Sequence, residues 1–164
     1  MNKETRAIIV GAAQFTQNKE ETKPLNPLRL MVKTSQLAKD DTGVEDLFEK
    51  IDAVYVTNII TWPYKNAPKE LSEILEIKSE QTYYPAAGGE TPQLLVNRAA
   101  KAIASGKSKV VLMTGAEAIY TRHRSRVDNI TLNWPERREP EHIDGEEWKG
   151  FSDFEYKYGS RFYE

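Results

Sequence analysis

The stretch that decides the fold is residues 84–117, YPAAGGETPQLLVNRAAKAIASGKSKVVLMTGAE. It follows a short β-branched and aromatic run, Thr82–Tyr84, and passes through a glycine-rich turn into an amphipathic segment that ends at Gly106. Thr91 and the proline after it are a typical helix start, with the threonine as cap. The run Lys109–Thr114 is short, apolar and β-branched, as buried strands are. The stretch therefore predicts a strand, a turn, a helix and a second strand.

The chain before this stretch shows the same alternation of strands and helices. Ala7–Val10 is predicted to be a buried strand because it is β-branched, unalternated and closed by glycine, and Ile51–Thr57 is predicted to be another. Helices are predicted from Asn26 to Gly43, where an asparagine cap precedes a proline, and from Lys69 to Ile77. This alternation predicts an α/β fold with a mostly parallel sheet and covering helices.

Length and charge exclude several classes of protein. The chain has 164 residues, of which 39% are apolar, which is enough for the core of one domain. With 23 basic and 25 acidic residues, the formal charge of −2 provides no field that attracts nucleic acid or anionic lipid. No apolar run is long enough to cross a bilayer and no signal-peptide pattern is present. We therefore expect a cytoplasmic protein with no nucleic-acid or membrane partner.

Cysteine is absent from the sequence, which excludes disulfides, thiolate metal sites and a cysteine nucleophile in this chain. The core-forming residues are distributed unevenly. Residues 121–164 are rich in charged and aromatic side chains but poor in Leu, Ile and Val, so this segment can hardly build a core of its own. We predict an α/β region over 1–120 and an irregular, incomplete segment over 121–164 that lacks its packing partner.

The glycine-rich turn Gly88–Thr91 has two interpretations. One is a tight turn in which Thr91 caps the following helix. The other is a site for an anion or a thioester oxygen without covalent catalysis, because the helix start offers free backbone N–H groups and the positive end of the helix dipole. Glu90 and Thr91 are the candidates for an acid, a base or a weak nucleophile, although a threonine that caps a helix has its oxygen occupied.

The stretch resembles the thiolase superfamily, in which a reactive cysteine begins a buried helix. That helix continues with Ala-Ala, Ile and Gly, and the following strand ends in Gly-Gly-x-Glu. The matching positions here, in the same order and spacing, are Ala99, Ala100, Ile103, Gly106, Val110–Leu112 and Gly115–Glu117. Closer still is a thiolase-like subgroup labelled acetyl-CoA acetyltransferase, which carries Gly-Gly-x-Thr-Pro-Gln at this turn, as Gly88–Gln93 does. Ala7–Phe15 and Ile51–Val56 look like the first two thiolase strands, so the resemblance covers residues 6–126.

The resemblance implies a fold and a reaction class. It implies the N-terminal portion of a thiolase-like layered fold, because the Gly-His-Pro and Cys-x-Gly-Gly motifs of the family's second half do not occur. Gly89 occupies the position of the nucleophilic cysteine. The implied activity is acyl transfer or carbon–carbon bond chemistry on an acyl-CoA without that cysteine; the alternative is a non-catalytic acyl-CoA-binding or scaffolding relative. The implied ligand is a coenzyme A thioester, with no covalently bound cofactor, and the implied protein partner is another copy or a second chain.

The basic run after the last predicted strand is a second candidate site. Arg122, Arg124 and Arg126 follow a strand end, where α/β sheets bind ligands, and are predicted to contact the phosphates of coenzyme A. The alternative is a solvated turn, or salt bridges to the acidic segment 136–147. We expect this chain alone to be inactive, and poorly stable because a partial fold exposes apolar surface.

Two further positions are interpreted structurally. Glu117, at a strand end, is expected to hold backbone N–H groups of a loop. His142 lies among acidic residues without a recognised metal-ligand spacing, so we predict a flexible acidic loop and no metal site. The aromatic residues near the basic run are expected to pack against absent parts of the fold.

Overall fold

The computed structural model describes residues 6–18, 23–145 and 153–159. Within these ranges, three parallel strands form a sheet with helices on both faces. The elements are α1 (Pro27–Thr42), α2 (Leu47–Lys50), β1 (Ala53–Val56), α3 (Ala67–Ile74), β2 (Gln81–Tyr83), α4 (Thr91–Ala104), β3 (Val111–Thr114), α5 (Ile119–Val127) and α6 (Asp153–Lys157).

Strand β1 lies at the centre of the sheet, between β2 and β3. Ala53 is the Cα partner of Gln81 on one side and of Val111 on the other. Because both pairings are parallel, all three strands end at the same edge of the sheet. The α/β class predicted from the sequence is confirmed.

The two faces of β1 belong to two separate apolar clusters. Val54 and Val56 pack into the larger cluster, which contains buried residues of α1 and α3. Ala53 and Tyr55 pack on the opposite face with Leu95, which lies on α4. All four residues of β1 are buried, as expected for a central strand covered by helices on both faces.

The predicted helix boundaries follow from local chemistry. Asn26 caps α1, since its side-chain oxygen accepts a hydrogen bond from the Arg29 backbone N–H at 2.9 Å. Gly43 ends the helix at φ 69°, a left-handed conformation that glycine adopts without steric cost. Helix α3 begins two residues before the predicted start, because the Asn66 side chain caps it through the Lys69 N–H at 3.1 Å.

The prediction of a buried strand at Ala7–Val10 is wrong. The segment forms no strand and has no ladder partner within the described residues, and the side chains of Ile8 and Ile9 are 75% and 77% exposed. Just beyond it, the Ala12 N–H donates to Asp41 Oδ2 at 3.0 Å. A β-branched run becomes a strand only when a neighbouring strand satisfies its backbone groups.

The segment after residue 120 also differs from expectation. Residues 122–126 form a helix, α5, and not a turn. Residues 134–145, which we name the strap, pack against the first part of the chain and therefore do have a packing partner. Trp134 Nε1 donates to the Pro24 carbonyl at 2.9 Å, and its ring meets the Trp62 ring edge-on at 5.0 Å. The predicted division at residue 120 stays a prediction.

Candidate functional site

The loops after the three strands meet at one edge of the sheet, where α4 and α5 also begin. The loop after β1 crosses this edge and contacts the chain after both other strands. Asn58 Nδ2 donates to the Pro85 carbonyl at 3.1 Å on the β2 side, and Ile60 contacts Glu117 on the β3 side. This edge is where parallel α/β sheets bind their ligands.

Glu117 fastens the loop after β1 to the end of β3. Its carboxylate accepts hydrogen bonds from the Ile60 N–H at 2.7 Å, from the Thr61 N–H at 3.1 Å and from the Thr61 hydroxyl. The Thr61 hydroxyl oxygen also accepts a bond from the Ala118 N–H at 3.2 Å. The structure confirms the predicted role of Glu117 as a holder of loop backbone N–H groups.

Tyr84 anchors the chain after β2 from within the core. Its hydroxyl oxygen accepts a hydrogen bond from the Ile59 N–H at 3.3 Å, and burial raises the pKa of this phenol to about 12. The backbone of Tyr84 is tied to the strap, because its N–H donates to Asp144 Oδ2 at 2.7 Å. The start of the glycine-rich turn is therefore held by the neighbouring loop and by the strap.

The turn Gly88–Thr91 leads directly into α4. The Thr91 N–H donates to the Gly88 carbonyl at 3.1 Å, which closes the turn. Within the described part of the chain, the backbone N–H groups of Gly89 and Glu90 have no acceptor. A Cβ added at Gly89 would meet nothing within 4 Å, and Gly89 and Glu90 are both exposed, so there is open space beside Gly89. Two free donors beside open space suit a developing negative charge on an oxygen.

The two candidate acid or nucleophile side chains at this turn differ in availability. Thr91 is buried at the first position of α4, and its hydroxyl donates to the Ala86 carbonyl at 3.3 Å. It is not the helix cap that the sequence predicts, because the cap position falls on Glu90. Glu90 is exposed, and its carboxylate folds back over Gly88, where an added Cβ would lie 2.6 Å from it.

The three predicted arginines on α5 have different surroundings. Arg122 Nη1 donates to the Thr61 carbonyl at 2.7 Å, which ties the guanidinium to the loop after β1. Arg124 pairs with Asp128, which directly follows α5, whereas Arg126 is exposed. The alternative of salt bridges to residues 136–147 is not observed within the described range 136–145.

Sequence reasoning did not find Arg137, which the strap brings to the same region. Its guanidinium carbon lies 5.7 Å from the centre of the Trp62 ring. No local pattern in the sequence connects this residue to the site. His142 Nε2 lies 3.4 Å from Asp144 Oδ1, and no group of metal-ligating side chains occurs within the described ranges.

A cavity of about 210 Å³ lies beside the start of α5. Apolar side chains of Phe15, Leu25 and Leu30 form one side, and Ile119 and Tyr120 form another. Glu117 also lines it, so the cavity borders the junction between β3 and the loop after β1. It is close to the sheet edge but is not the space in front of Gly89, since neither Gly88 nor Gly89 is among its lining residues.

Comparison with known proteins supports the fold. No protein-family model matches the chain, and no curated protein matches it. Among solved structures, a monomeric SCP2-thiolase-like protein type 1 from Mycobacterium smegmatis matches 64% of this chain with 25% identity and a TM-score of 0.55. A variant of OleA from Xanthomonas campestris bound with cerulenin matches 67% with 15% identity and a TM-score of 0.56.

The chain thus has a thiolase-like α/β fold, and its structural neighbours support a relationship to the thiolase superfamily. It spans 22% and 33% of the lengths of these two neighbours. Over the residues that the structure describes, no helix has both the length and the apolar character needed to cross a membrane.

Proposed function

We propose that this chain belongs to an acyl-CoA-binding relative of thiolases in which the turn Gly88–Thr91 holds the thioester carbonyl without a covalent intermediate. The observation that supports this most is the pair of free N–H groups at Gly89 and Glu90 beside open space. A thioester oxygen at this position would accept hydrogen bonds from the backbone.

The environment of the side chains favours non-covalent binding over acyl-enzyme formation. The chain has no cysteine, and Gly89 occupies the position that the thiolase resemblance assigns to the nucleophile. Thr91 is buried and donates its hydroxyl proton to a backbone carbonyl, so it faces away from an incoming ligand. The turn therefore offers donors for an oxygen but no free nucleophile.

A second candidate function is catalytic, namely acyl transfer or carbon–carbon bond chemistry on the bound acyl-CoA, as in proteins labelled acetyl-CoA acetyltransferase. The observation that favours it is the exposed carboxylate of Glu90, one residue from the free Gly89 N–H. A carboxylate there could move a proton while the backbone holds the oxygen. Turnover of acetoacetyl-CoA that is lost in Glu90→Gln would support catalysis. Binding of acetoacetyl-CoA without turnover would contradict catalysis and support only the binding function.

The binding function is tested by calorimetric titration with acetyl-CoA and with S-ethyl-CoA, which lacks the thioester carbonyl. We expect acetyl-CoA to bind about fivefold to tenfold more tightly, the contribution of one or two hydrogen bonds. Gly89→Val fills the open space and should abolish this difference, whereas Lys101→Ala, at the other end of α4, should preserve it. Equal affinity of both ligands for the unmodified chain would contradict the proposal.

A further inference from the structure

Helix α5 presents two arginines on one side. Arg122 and Arg126 are four residues apart, and residues at this spacing are neighbours on a helix surface. Arg124 points its charge elsewhere, because its guanidinium pairs with Asp128. Arg122 and Arg126 therefore lie on the same side of α5, whereas the charge of Arg124 is already paired.

Arg122 is held in place by neutral partners. Its Nη1 donates to the Thr61 carbonyl at 2.7 Å and lies 3.5 Å from the Ile60 carbonyl. Backbone carbonyls fix the guanidinium but do not cancel its charge, and a guanidinium has five N–H donors. The side chain is thus positioned by the loop after β1 and still carries an unpaired positive charge.

Arg137 approaches the same loop from the strap. Its guanidinium lies over the Trp62 ring at 5.7 Å, and Trp62 Nε1 donates to the Pro135 carbonyl at 2.9 Å, which fixes the strap two residues before Arg137. Its neighbour Arg138 pairs with Glu70 at 2.9 Å. Across the described ranges, ion pairs neutralise Arg124 and Arg138 but include none of Arg122, Arg126 and Arg137.

Arg126 and Arg137 both lie near Arg122, one on the same side of α5 and the other beside the loop that holds the Arg122 guanidinium. Burial lowers the pKa of Arg122, and the positive charges of Arg137 and Arg126 lower it further, while Glu117 acts in the opposite direction. An anion bound beside Arg122 would offset this repulsion. Guanidinium groups suit phosphates in particular, because their parallel N–H donors match the spacing of phosphate oxygens.

We propose that Arg122, Arg126 and Arg137 form a binding site for the phosphate or pyrophosphate group of a phosphorylated ligand. The site differs from the one that the sequence predicts, since Arg137 of the strap takes the place of Arg124. Identification of this anion with the phosphates of coenzyme A rests on the proposed function. The anion site itself does not depend on it.

The test is a titration of the full chain with inorganic pyrophosphate at low ionic strength. Arg126 and Arg137 are exposed, so Arg126→Gln and Arg137→Gln should fold normally. Each should weaken pyrophosphate binding about tenfold, as expected for loss of one charge-assisted contact. Arg124→Gln is the matched control on the same helix, and it should change the affinity by less than about twofold because its charge is already paired.

Two results would overturn this inference: failure of pyrophosphate to bind, or an equal loss of affinity in Arg124→Gln, which would indicate only the general charge of the helix. A parallel titration with acetyl-CoA separates the inference from the proposed function. Pyrophosphate binding that depends on Arg126 and Arg137, without acetyl-CoA binding, supports the anion site and contradicts the proposed function. Acetyl-CoA binding that is sensitive to Gly89→Val but not to these arginines supports the proposed function and contradicts only the identification of the anion with the phosphates of coenzyme A.

Discussion

Two β-branched runs of nearly the same composition adopt different structures in this molecule: one is a buried strand and the other lies exposed outside the sheet. Ala53–Val56 is the central strand β1, and all four residues are buried. Ala7–Val10 forms no strand, makes no ladder within the described residues, and leaves both isoleucines more than 70% exposed. The intrinsic preferences of the two runs are alike, so the difference arises from their neighbours.

Neighbouring elements pair with both edges of β1 and cover both of its faces. Strands β2 and β3 pair with its two edges, and helices on both faces cover its side chains. The chain next to Ala7–Val10 is held at the end of α1, where Gly11 lies close to Ala38 and Ala12 donates a hydrogen bond to Asp41. The β-propensity of a run therefore describes how well its side chains fit a buried sheet. It does not supply the neighbouring strands with which the run must pair.

The largest effect that this comparison predicts comes from the same substitution in the two regions. Ile59 follows β1 in the core and is 1% exposed, so Ile59→Ala should lower the free energy of unfolding by about 2–5 kcal/mol. Ile9→Ala removes the same atoms from an exposed side chain and should change it by less than about 0.5 kcal/mol. Urea unfolding followed by circular dichroism measures both. A cost of 2 kcal/mol or more for Ile9→Ala would mean that Ala7–Val10 is buried in solution.

An intermediate effect is expected from the buried phenol of Tyr84. Its pKa is about 12 in the folded chain, against an ordinary value near 10, because burial disfavours the anion. The folded state thus binds the proton more tightly. The contribution of this proton to the free energy of unfolding is fully present below about pH 10. It is lost as the pH rises from about 10 to 12, by up to about 2.7 kcal/mol.

The measurement is urea unfolding of the unmodified chain and of Tyr84→Phe across this alkaline range. Phenylalanine cannot ionise, so the stability of the unmodified chain relative to the variant should decrease between pH 10 and 12. A difference between the two chains that stays constant with pH would show that Tyr84 is accessible to water. It would also weaken the contrast between the enclosed sheet edge and the exposed N-terminal run.

The smallest effect concerns the junction between β1 and β3. Glu117→Gln replaces a carboxylate that accepts hydrogen bonds from Ile60 and Thr61 with an amide that has a single acceptor oxygen. We expect a loss of about 1–2 kcal/mol in the free energy of unfolding. Glu73→Gln, on the exposed side of α3, is the matched control and should be neutral within about 0.5 kcal/mol. Equal stability of the two variants would exclude Glu117 as a structural anchor.

Local signals in the sequence were sufficient to predict the elements whose ends are set by caps, glycines and nearby hydrogen bonds. The Asn26 cap and Gly43 define α1, and the spacing of Ala99 and Gly106 identifies α4 and its turn. The role of Glu117 also follows from its place at a strand end. These features depend on contacts that each residue makes with its near surroundings.

Features that depend on distant contacts were not predictable in the same way. Whether Ala7–Val10 is a strand depends on a pairing partner, which no property of the run itself specifies. The approach of Arg137 to Arg122 depends on the path of the strap, fixed by the bonds of Trp62 and Trp134 across 73 and 110 residues of sequence. Such long-range contacts leave no periodic pattern in the sequence.

The proposed function requires that the turn at Gly88–Thr91 binds an acyl-CoA without taking up its acyl group. The most direct measurement is the intact mass of the chain after incubation with acetyl-CoA at a concentration that calorimetry shows to be saturating. We expect heat of binding and an unchanged mass. A mass increase of one acetyl group that maps to Glu90 or Thr91 would contradict it.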